Sequence, residues 1–270
     1  MISIVIPVKN EAQNLLLCLD ALTAFDDVVV VDSGSTDDTC AIAERYGRRV
    51  IQFQWDGHFP KKRNWVLQTQ SFKHNWVLFL DADERMTPGF VLEIARLLPN
   101  TPHQAFWIGY QNWFLKRLLK HGDPMRKLAL LKVGHGAYEE IHEDHWSALD
   151  MEIHEQLVVK GTVGTIQSKL EHHDKRSLYA YYARHNDYST WEAKRYLSLT
   201  DQSTLTTRQR LKYRMLTCSF FPVMYFVASY VLKGGFLDGW AGFYFAVGKM
   251  FYFYQIQAKI TELAKLQRSM

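Results

Sequence analysis

Val77-Leu78-Phe79-Leu80-Asp81-Ala82-Asp83-Glu84 is the stretch whose reading decides the fold. Four apolar residues in a row suit a strand buried on both faces of a parallel sheet. Three carboxylates follow within four positions, where such a strand ends. Open α/β sheets bind ligands outside the carboxyl ends of their strands. Acids crowded there repel one another unless something positive, usually a divalent metal, sits among them. A solvated turn after a strand would also account for Asp-x-Asp-Glu taken alone. The rest of the chain decides between the two.

Upstream, Ile2 to Val8 is a β-branched run that makes a first strand, with Pro7 marking its end because it cannot donate to a central ladder. Lys9-Asn10-Glu11 form a loop, and Asn14 to Leu22 carry apolar residues at helical spacing. Val28 to Val31 form a second strand, closed by Asp32-Ser33-Gly34-Ser35-Thr36-Asp37. Ser35 or Thr36 is the expected N-cap of a helix over Asp38 to Tyr46. Val50 to Phe53 are a third strand, and Lys61-Lys62-Arg63-Asn64 open a helix leading to Gln70. Val77 to Leu80 complete a β-α-β-α-β-α-β series, which predicts a parallel, right-handed, doubly wound sheet.

Downstream, a helix over Val91 to Leu98 precedes an aromatic-rich strand over Ala105 to Tyr110. Asn112 to His121 read as a basic, amphipathic connector. Lys127 to Lys132 read as a strand, Gly134 to Trp146 as a loop rich in Gly, His and Glu, and Leu157 to Val159 and Val163 to Leu170 as late strands. Composition shifts near His173-Asp174-Lys175, which places a boundary between a catalytic domain over 1–173 and a helical region over 174–270. Ser177 to Leu199 have a helical pattern. Arg208, Arg210, Lys212 and Arg214 form a basic block ahead of two apolar stretches, Met215 to Leu232 and Phe236 to Tyr254.

The 270 residues leave room for one large α/β domain with an appendage, or for two modest domains. Net charge is +4, unevenly spread: from Asp174 onward there are 14 Lys/Arg against 6 Asp/Glu, and before it 18 against 22. A basic tail rich in aromatic residues points to an anionic surface as partner. The apolar stretches approach the length of a membrane span, but Pro222 and the Lys233-Gly234-Gly235 break favour helices lying in or re-entering an anionic leaflet. A buried hairpin in a soluble core and two full spans are the competing readings. Cys18, Cys40 and Cys218 have no paired spacing, so neither a disulfide framework nor a zinc knuckle is suggested. Residue 1 leads straight into a strand, without a signal-peptide pattern, so the catalytic part is expected in the cytoplasm.

Asn10, Glu11 and Asp32 stand at the ends of the first two strands, where a carboxylate can accept from a base N–H or a ribose hydroxyl. No Gly-x-Gly-x-x-Gly follows the first strand and no P-loop motif exists, which excludes the usual dinucleotide and NTPase sites. Lys61 and Arg63 precede or open a helix, where cations and helix N–H groups together meet a diphosphate. With Asp81 and Asp83 these residues describe a nucleotide-diphosphate pocket. Nucleic-acid binding is disfavoured, because the basic residues abut apolar runs and not an exposed stacking platform.

The blocks Ile4-Val5-Ile6-Pro7-Val8-x-Asn10-Glu11, Val30-Val31-Asp32-Ser33-Gly34-Ser35-Thr36-Asp37, Arg63-Asn64 and Phe79-Leu80-Asp81-Ala82-Asp83-Glu84 resemble, in order, the family 2 inverting glycosyltransferases of GT-A fold. The Asp-Ser-Gly-Ser and Asp-Ala-Asp-Glu forms, with a later His-Glu pair, are similar to the lipopolysaccharide-core glucosyltransferase branch. The resemblance implies a nucleotide-sugar donor, a UDP-hexose, bound by Pro7, Val8, Asn10, Glu11, Asp32, Lys61, Arg63, Asp81 and Ala82. It implies Mg²⁺ or Mn²⁺ held mainly by Asp83 with help from Asp81. His172 of the His172-His173 pair is the candidate third ligand, as some relatives use a histidine there. Many members carry a second Asp where this chain has Ser33, which leaves base recognition to Asp32.

Inverting transfer requires a general base for the acceptor hydroxyl. The resemblance implies an acid at a helix start within Glu152-Ile153-His154-Glu155-Gln156; Glu155 is chosen, with Glu152, Glu139-Glu140 and Glu143-Asp144 as rivals. The expected acceptor is a membrane glycolipid such as the lipopolysaccharide inner core, reached from the cytoplasmic face of a bacterial inner membrane. A polyprenyl-phosphate acceptor and a non-catalytic nucleotide-sugar-binding scaffold are the alternatives.

Overall fold

The computed structural model describes residues 1–141, 155–174, 176–199, 205 and 207–269. In chain order the elements are β1 (Ser3–Val8), α1 (Ala12–Asp20), β2 (Val28–Asp32), α2 (Thr39–Arg45), β3 (Arg49–Gln52), α3 (Lys62–Thr69) and β4 (Trp76–Phe79). Then come β5 (Glu84–Arg85), α4 (Pro88–Leu97), β6 (Ala105–Phe114), β7 (Arg117–Leu119), β8 (Arg126–Lys132), β9 (Gly136–Tyr138), β10 (Leu157–Val159) and β11 (Val163–His173). Helices α5 (Leu178–Ser198), α6 (Thr207–Leu216), α7 (Phe221–Phe226) and α8 (Gly239–Ser269) finish the chain, with a π-helical turn at Val227–Leu232 and a 3₁₀ turn at Gly235–Asp238 between the last two. Two compact units result. The first takes in 1–113, 124–141 and 155–174; the second takes in 114–123 with the helices from 176 onward.

The first unit is an α/β fold on a mixed sheet ordered β3-β2-β1-β4-β8-β6-β11-β5. β3, β2, β1 and β4 are parallel, joined by α1, α2 and α3, as the alternating pattern predicts. Beyond β4 the sheet departs from the all-parallel expectation: β8 is antiparallel to both β4 and β6, β11 runs parallel to β6, and β5 closes the edge antiparallel to β11. Alternation of side chains across each strand places Ile4, Ile6, Val30 and Leu78 in one core with Leu15, Leu19 and Phe90. Val5, Val29, Val31, Val77 and Phe79 enter the opposite core with Val66, Tyr138 and Leu157. Both faces are therefore covered, which is why these strands read as unbroken apolar runs. Pro7 is accommodated because the β1–β4 pairing stops at Val5↔Phe79 while β1–β2 pairing continues to Val8↔Asp32.

Several local expectations change. Helix α2 is N-capped by Asp38 without a side-chain cap bond; Ser35 and Thr36 instead bond Asp32 and Asn10. The expected connector over Asn112 to His121 continues β6 as far as Phe114 and then turns through Leu115 and Lys116, both at positive φ, into β7. The loop from Gly134 carries β9, paired antiparallel with β10 in a separate two-stranded sheet. Helix α4 keeps its predicted place, opened by Thr87, whose hydroxyl accepts from Phe90 N, with Pro88 in the first turn.

In the second unit α5 packs along α8. The Lys259 ammonium on α8 donates to Asn186 O, Ser189 Oγ and Thr190 Oγ1 of α5 at 2.7–2.8 Å. Leu205, Tyr213, Leu216, Tyr252 and Ile256 form its buried core. Among the described residues no helix is long and apolar enough to cross a membrane, so the two-span reading is not supported.

Candidate active site

The loops after β1 and β2 are stitched together by side chains. Asn10, at φ 56°, donates its N–H to Ser35 Oγ at 2.8 Å and accepts from Thr36 N at 2.8 Å through Oδ1. Asparagine tolerates this left-handed conformation better than most residues. Glu11 accepts from Asn14 Nδ2 at 2.8 Å. Asp32 is 1% exposed and accepts from the Gly34 and Ser35 N–H groups at 3.1 and 3.0 Å and from the Ser35 hydroxyl. Burial raises its pKa, but these hydrogen bonds prevail and hold the carboxyl below its usual range. Asp32 is therefore an ionised anchor of its own loop. Pro7 and Val8 lie directly across from Val31 and Asp32 on β1.

The acidic motif follows β4 as a tight turn into β5. Glu84 N donates to Asp81 O at 2.9 Å and Asp81 N to Glu84 Oε2 at 3.1 Å. Two cations converge on it: Arg63 Nη2 lies 3.3 Å from Asp81 Oδ1, and Lys127 Nζ at the start of β8 bonds Asp81 Oδ2 and, at 2.6 Å, Glu84 Oε1. Burial pushes the Asp81 pKa up, yet Lys127 and Arg63 prevail and keep it below the ordinary value. Glu84, wholly buried, is pushed up to about 7 by burial, with Lys127 opposing and Asp81 and Asp83 adding to the rise. Ala82 is buried in the core beneath the turn.

His172 and His173 separate as neighbours on a strand must. The His172 ring Nε2 lies 3.5 Å from Asp83 Oδ2, with its Nδ1 3.2 Å from Asn112 Oδ1. His173 stacks on Trp113 at 4.9 Å and pairs with Glu171. Burial lowers the His172 pKa, but the Asp83 carboxylate outweighs it and raises the net value. No group of three or more His, Cys, Asp or Glu side chains arranged to hold a metal occurs among the described residues. Asp83 and His172 do form a two-donor carboxylate–imidazole pair, 11% and 20% exposed, whose donors fit a divalent ion that keeps phosphate and water ligands. Asp81 contributes to no such pair: both its oxygens are held by Arg63 and Lys127.

The N-terminus of α3 ties this turn to the second acidic residue. Asn64 clamps β9 through a reciprocal pair, Nδ2 to Tyr138 O at 2.9 Å and Tyr138 N to Oδ1 at 2.8 Å. Arg63 lies over the Tyr138 ring at 5.1 Å. Lys61, 3% exposed and 5.3 Å over the Trp55 ring, stands 3.9 Å from Glu155 Oε1. Glu155 and Gln156 run directly into strand β10, so among the described residues this acid precedes a strand and not the expected helix. Its rivals Glu143, Asp144 and Glu152 lie outside the described residues, whereas Glu139 follows β9 with its N–H bonded to Gln156 O at 2.8 Å. The sequence reading missed Lys127 and Tyr138: one opens an unremarkable strand, the other sits in what reads as a loop.

The model of glycosyl transferase family 2 matches residues 3–148, more than half of the chain. The chain is 26% identical to the lipopolysaccharide core biosynthesis glycosyltransferase LpsC of Rhizobium meliloti, over 93% of this chain and 88% of that protein. It is also 26% identical to an uncharacterized glycosyltransferase of Rickettsia felis, over 100% of this chain and 90% of the relative. Among solved structures, the glucosyl-3-phosphoglycerate synthase of Mycobacterium tuberculosis, crystallised with Mn²⁺, UDP and glucosyl-3-phosphoglycerate, is 28% identical at a TM-score of 0.34. That match spans 41% of this chain and 44% of the synthase.

Proposed function

The chain belongs to glycosyl transferase family 2, and we propose that it moves a hexose, glucose from UDP-glucose, with inversion onto a membrane glycolipid of the lipopolysaccharide-core type. The observation that carries the reading is the turn after β4, where Asp81, Asp83 and Glu84 meet Arg63, Lys127 and His172 at the carboxyl end of a buried parallel strand. Asp83 and His172 are the residues that would hold Mg²⁺ or Mn²⁺. Such an ion supplies charge neutralisation of the leaving diphosphate. Arg63, anchored on Asp81, and Lys61 at the opening of α3 offer fixed cations to the same diphosphate. Asp32 and Asn10 shape the nucleoside side of the pocket with Pro7, Val8, Glu11 and Ala82.

Glu155 is the general base of this reaction. It takes the proton of the acceptor hydroxyl as that oxygen attacks the anomeric carbon opposite the leaving diphosphate. Lys61, 3.9 Å from its Oε1, holds the carboxylate in place beside α3. The long match to a protein named for lipopolysaccharide core biosynthesis supports a glycolipid acceptor and a place at the cytoplasmic face of the bacterial inner membrane.

The test is calorimetric titration of UDP and UDP-glucose with and without Mn²⁺. Binding is expected to require the metal and to weaken at least about tenfold in Asp83→Ala, whose side chain lies outside the packed core. Metal-independent binding unchanged by that substitution would remove the metal from the site. Glu155→Gln is expected to abolish transfer to a sugar hydroxyl while leaving UDP binding intact; a polyprenyl-phosphate acceptor, needing no hydroxyl deprotonation, would tolerate it.

A further inference from the structure

Apart from Leu178, Tyr179 and Tyr182 on α5, Leu211 on α6 and Leu266 near the end of α8, the large exposed apolar side chains of the second unit gather between residues 220 and 254. On α7 and the residues flanking it, Phe220, Val223, Met224 and Val227 are exposed at i, i+3, i+4 and i+7, one stripe of a helix. Leu232, 78% exposed, ends the π-helical turn that extends this segment. Over the first half of α8, Trp240, Phe243, Tyr244, Phe251 and Tyr254 are exposed, again a single stripe. Ala241, Ala246, Tyr252 and Ile256 on α8 are buried. The two segments lie side by side: the Phe243 ring meets Phe226 at 6.3 Å and Tyr230 at 5.6 Å. Glycines make that closeness feasible. A Cβ on Gly242 would fall 2.1 Å from Gly235 O, and one on Gly235 would fall 2.8 Å from Ser229 O.

A basic rim is fastened to this face. The Asp238 carboxylate in the 3₁₀ turn accepts from the Lys120 and His121 N–H groups at 3.0 and 2.9 Å, and its Oδ1 lies 2.9 Å from His121 Nδ1. Gly122 N donates to Lys233 O at 3.0 Å. Lys116, Arg117, Lys120 and Lys233 are all exposed, and Arg117 lies over the Trp240 ring at 5.9 Å. Cations placed beside exposed aromatic side chains complement an anionic, apolar interface, with the rings at headgroup depth and the charges toward phosphate.

We propose that the second unit docks in the plane of an anionic lipid bilayer through this two-helix face, with the tip of the β6–β7 hairpin and Lys233 as its phosphate-facing rim. The inference deepens the membrane location proposed above and rests on it. Neither helical segment crosses the bilayer: α7 with its π-helical turn is short, and no described helix has the length and hydropathy of a span. The stripe on α8 faces lipid while its opposite side stays packed on α5.

The experiment is flotation of the full-length chain with phosphatidylcholine vesicles with and without phosphatidylglycerol, in the absence of donor and metal. Wild-type protein is expected to float with the anionic vesicles. Phe220→Glu/Leu232→Glu, at two exposed positions, is expected to cut partitioning at least tenfold with unchanged circular dichroism and thermal midpoint. Lys116→Gln/Arg117→Gln/Lys120→Gln/Lys233→Gln is expected to lose the preference for phosphatidylglycerol while retaining residual binding. Equal flotation of wild type and Phe220→Glu/Leu232→Glu overturns the proposal. So does absence of wild-type flotation, or a wild-type dimer in sedimentation equilibrium that the Glu variant splits, which would assign the face to a second copy of the chain. Because no donor is present, a failure here is distinct from a failure of UDP binding.

Discussion

At the scale of single residues, Lys127 organises the acidic turn. Its ammonium bonds Asp81 and Glu84 and lies 5.3 Å over the Tyr110 ring, so one cation compensates two carboxylates, of which Glu84 is fully buried. Removing that cation leaves Asp81 with Arg63 alone and obliges the buried Glu84 to take up a proton. The Lys127 side chain is one-third exposed, which softens the effect. Lys127→Met is therefore expected to lower unfolding free energy by about 2 kcal/mol in urea titrations at neutral pH. Adding Glu84→Gln to it should change stability little further at neutral pH, because Glu84, pushed up to about 7 even with Lys127 opposing, takes a proton once the lysine is gone. Strict additivity of the two substitutions in a double-mutant cycle would show that they do not act through one another. The acids of this turn were legible because three carboxylates after four apolar residues have few structural explanations. Lys127 was not, because a lysine opening a strand has many. Strand alternation says that only one of His172 and His173 can face the acidic turn and does not say which; the geometry points the two rings to different partners, His172 to Asp83.

At the scale of elements, β11 shows how one carboxylate can hold a strand irregularity. Its pairing with β6 shifts register between Ile166 and Leu170, and there the Glu93 carboxylate of α4 accepts from Gln167 N at 2.8 Å and Ser168 N at 2.7 Å. Those N–H groups have left the ladder and need an acceptor. Burial raises the Glu93 pKa, but the bonds from Gln167 and Ser168 outweigh it and depress the net value below the ordinary 4.5. A depressed carboxyl pKa contributes stability that is complete above the unfolded-state value and is lost as pH falls through the folded-state value. Glu93→Gln is thus expected to cost about 1 kcal/mol at pH 7 and to converge on wild type as pH falls through the depressed folded-state value in thermal melts. A cost that persists undiminished in acid would assign the effect to shape and not to charge. β1, β2 and β4 could be read from their β-branched and apolar runs because a strand covered on both faces advertises itself. β5 with two residues and β9 and β10 with three each could not, since they exist through the partners they pair with and carry too few positions to show a period.

At the scale of the whole molecule, the charge split along the chain and the docking face do not coincide in sequence. Residues before Asp174 carry 18 Lys/Arg against 22 Asp/Glu and include both the acidic turn and three cations of the rim, Lys116, Arg117 and Lys120, which belong to the second unit; residues from Asp174 on carry 14 against 6. The apolar stretches of the second unit suggested membrane contact from sequence but left its depth open, because a hydropathy run does not say which sides of a helix are packed. Burial of Ala241, Ala246 and Ile256 against exposure of Trp240, Phe243 and Phe251 makes that distinction. A surface built this way has two separable attractions: apolar burial that salt leaves intact and ion pairing with lipid headgroups that salt screens within about 10 Å at 0.1 M and about 3 Å at 1 M. Transfer to a glycolipid embedded in anionic vesicles is therefore expected to fall several-fold as KCl is raised across that range. Transfer to a short-chain, water-soluble form of the same acceptor should hold nearly constant, because the diphosphate site pairs partly buried groups. The measurement is initial rate against KCl for both acceptors at matched UDP-glucose and Mn²⁺. Parallel losses on the two acceptors would place the salt sensitivity in the catalytic turn, and a flat response on both would remove electrostatic docking from the account.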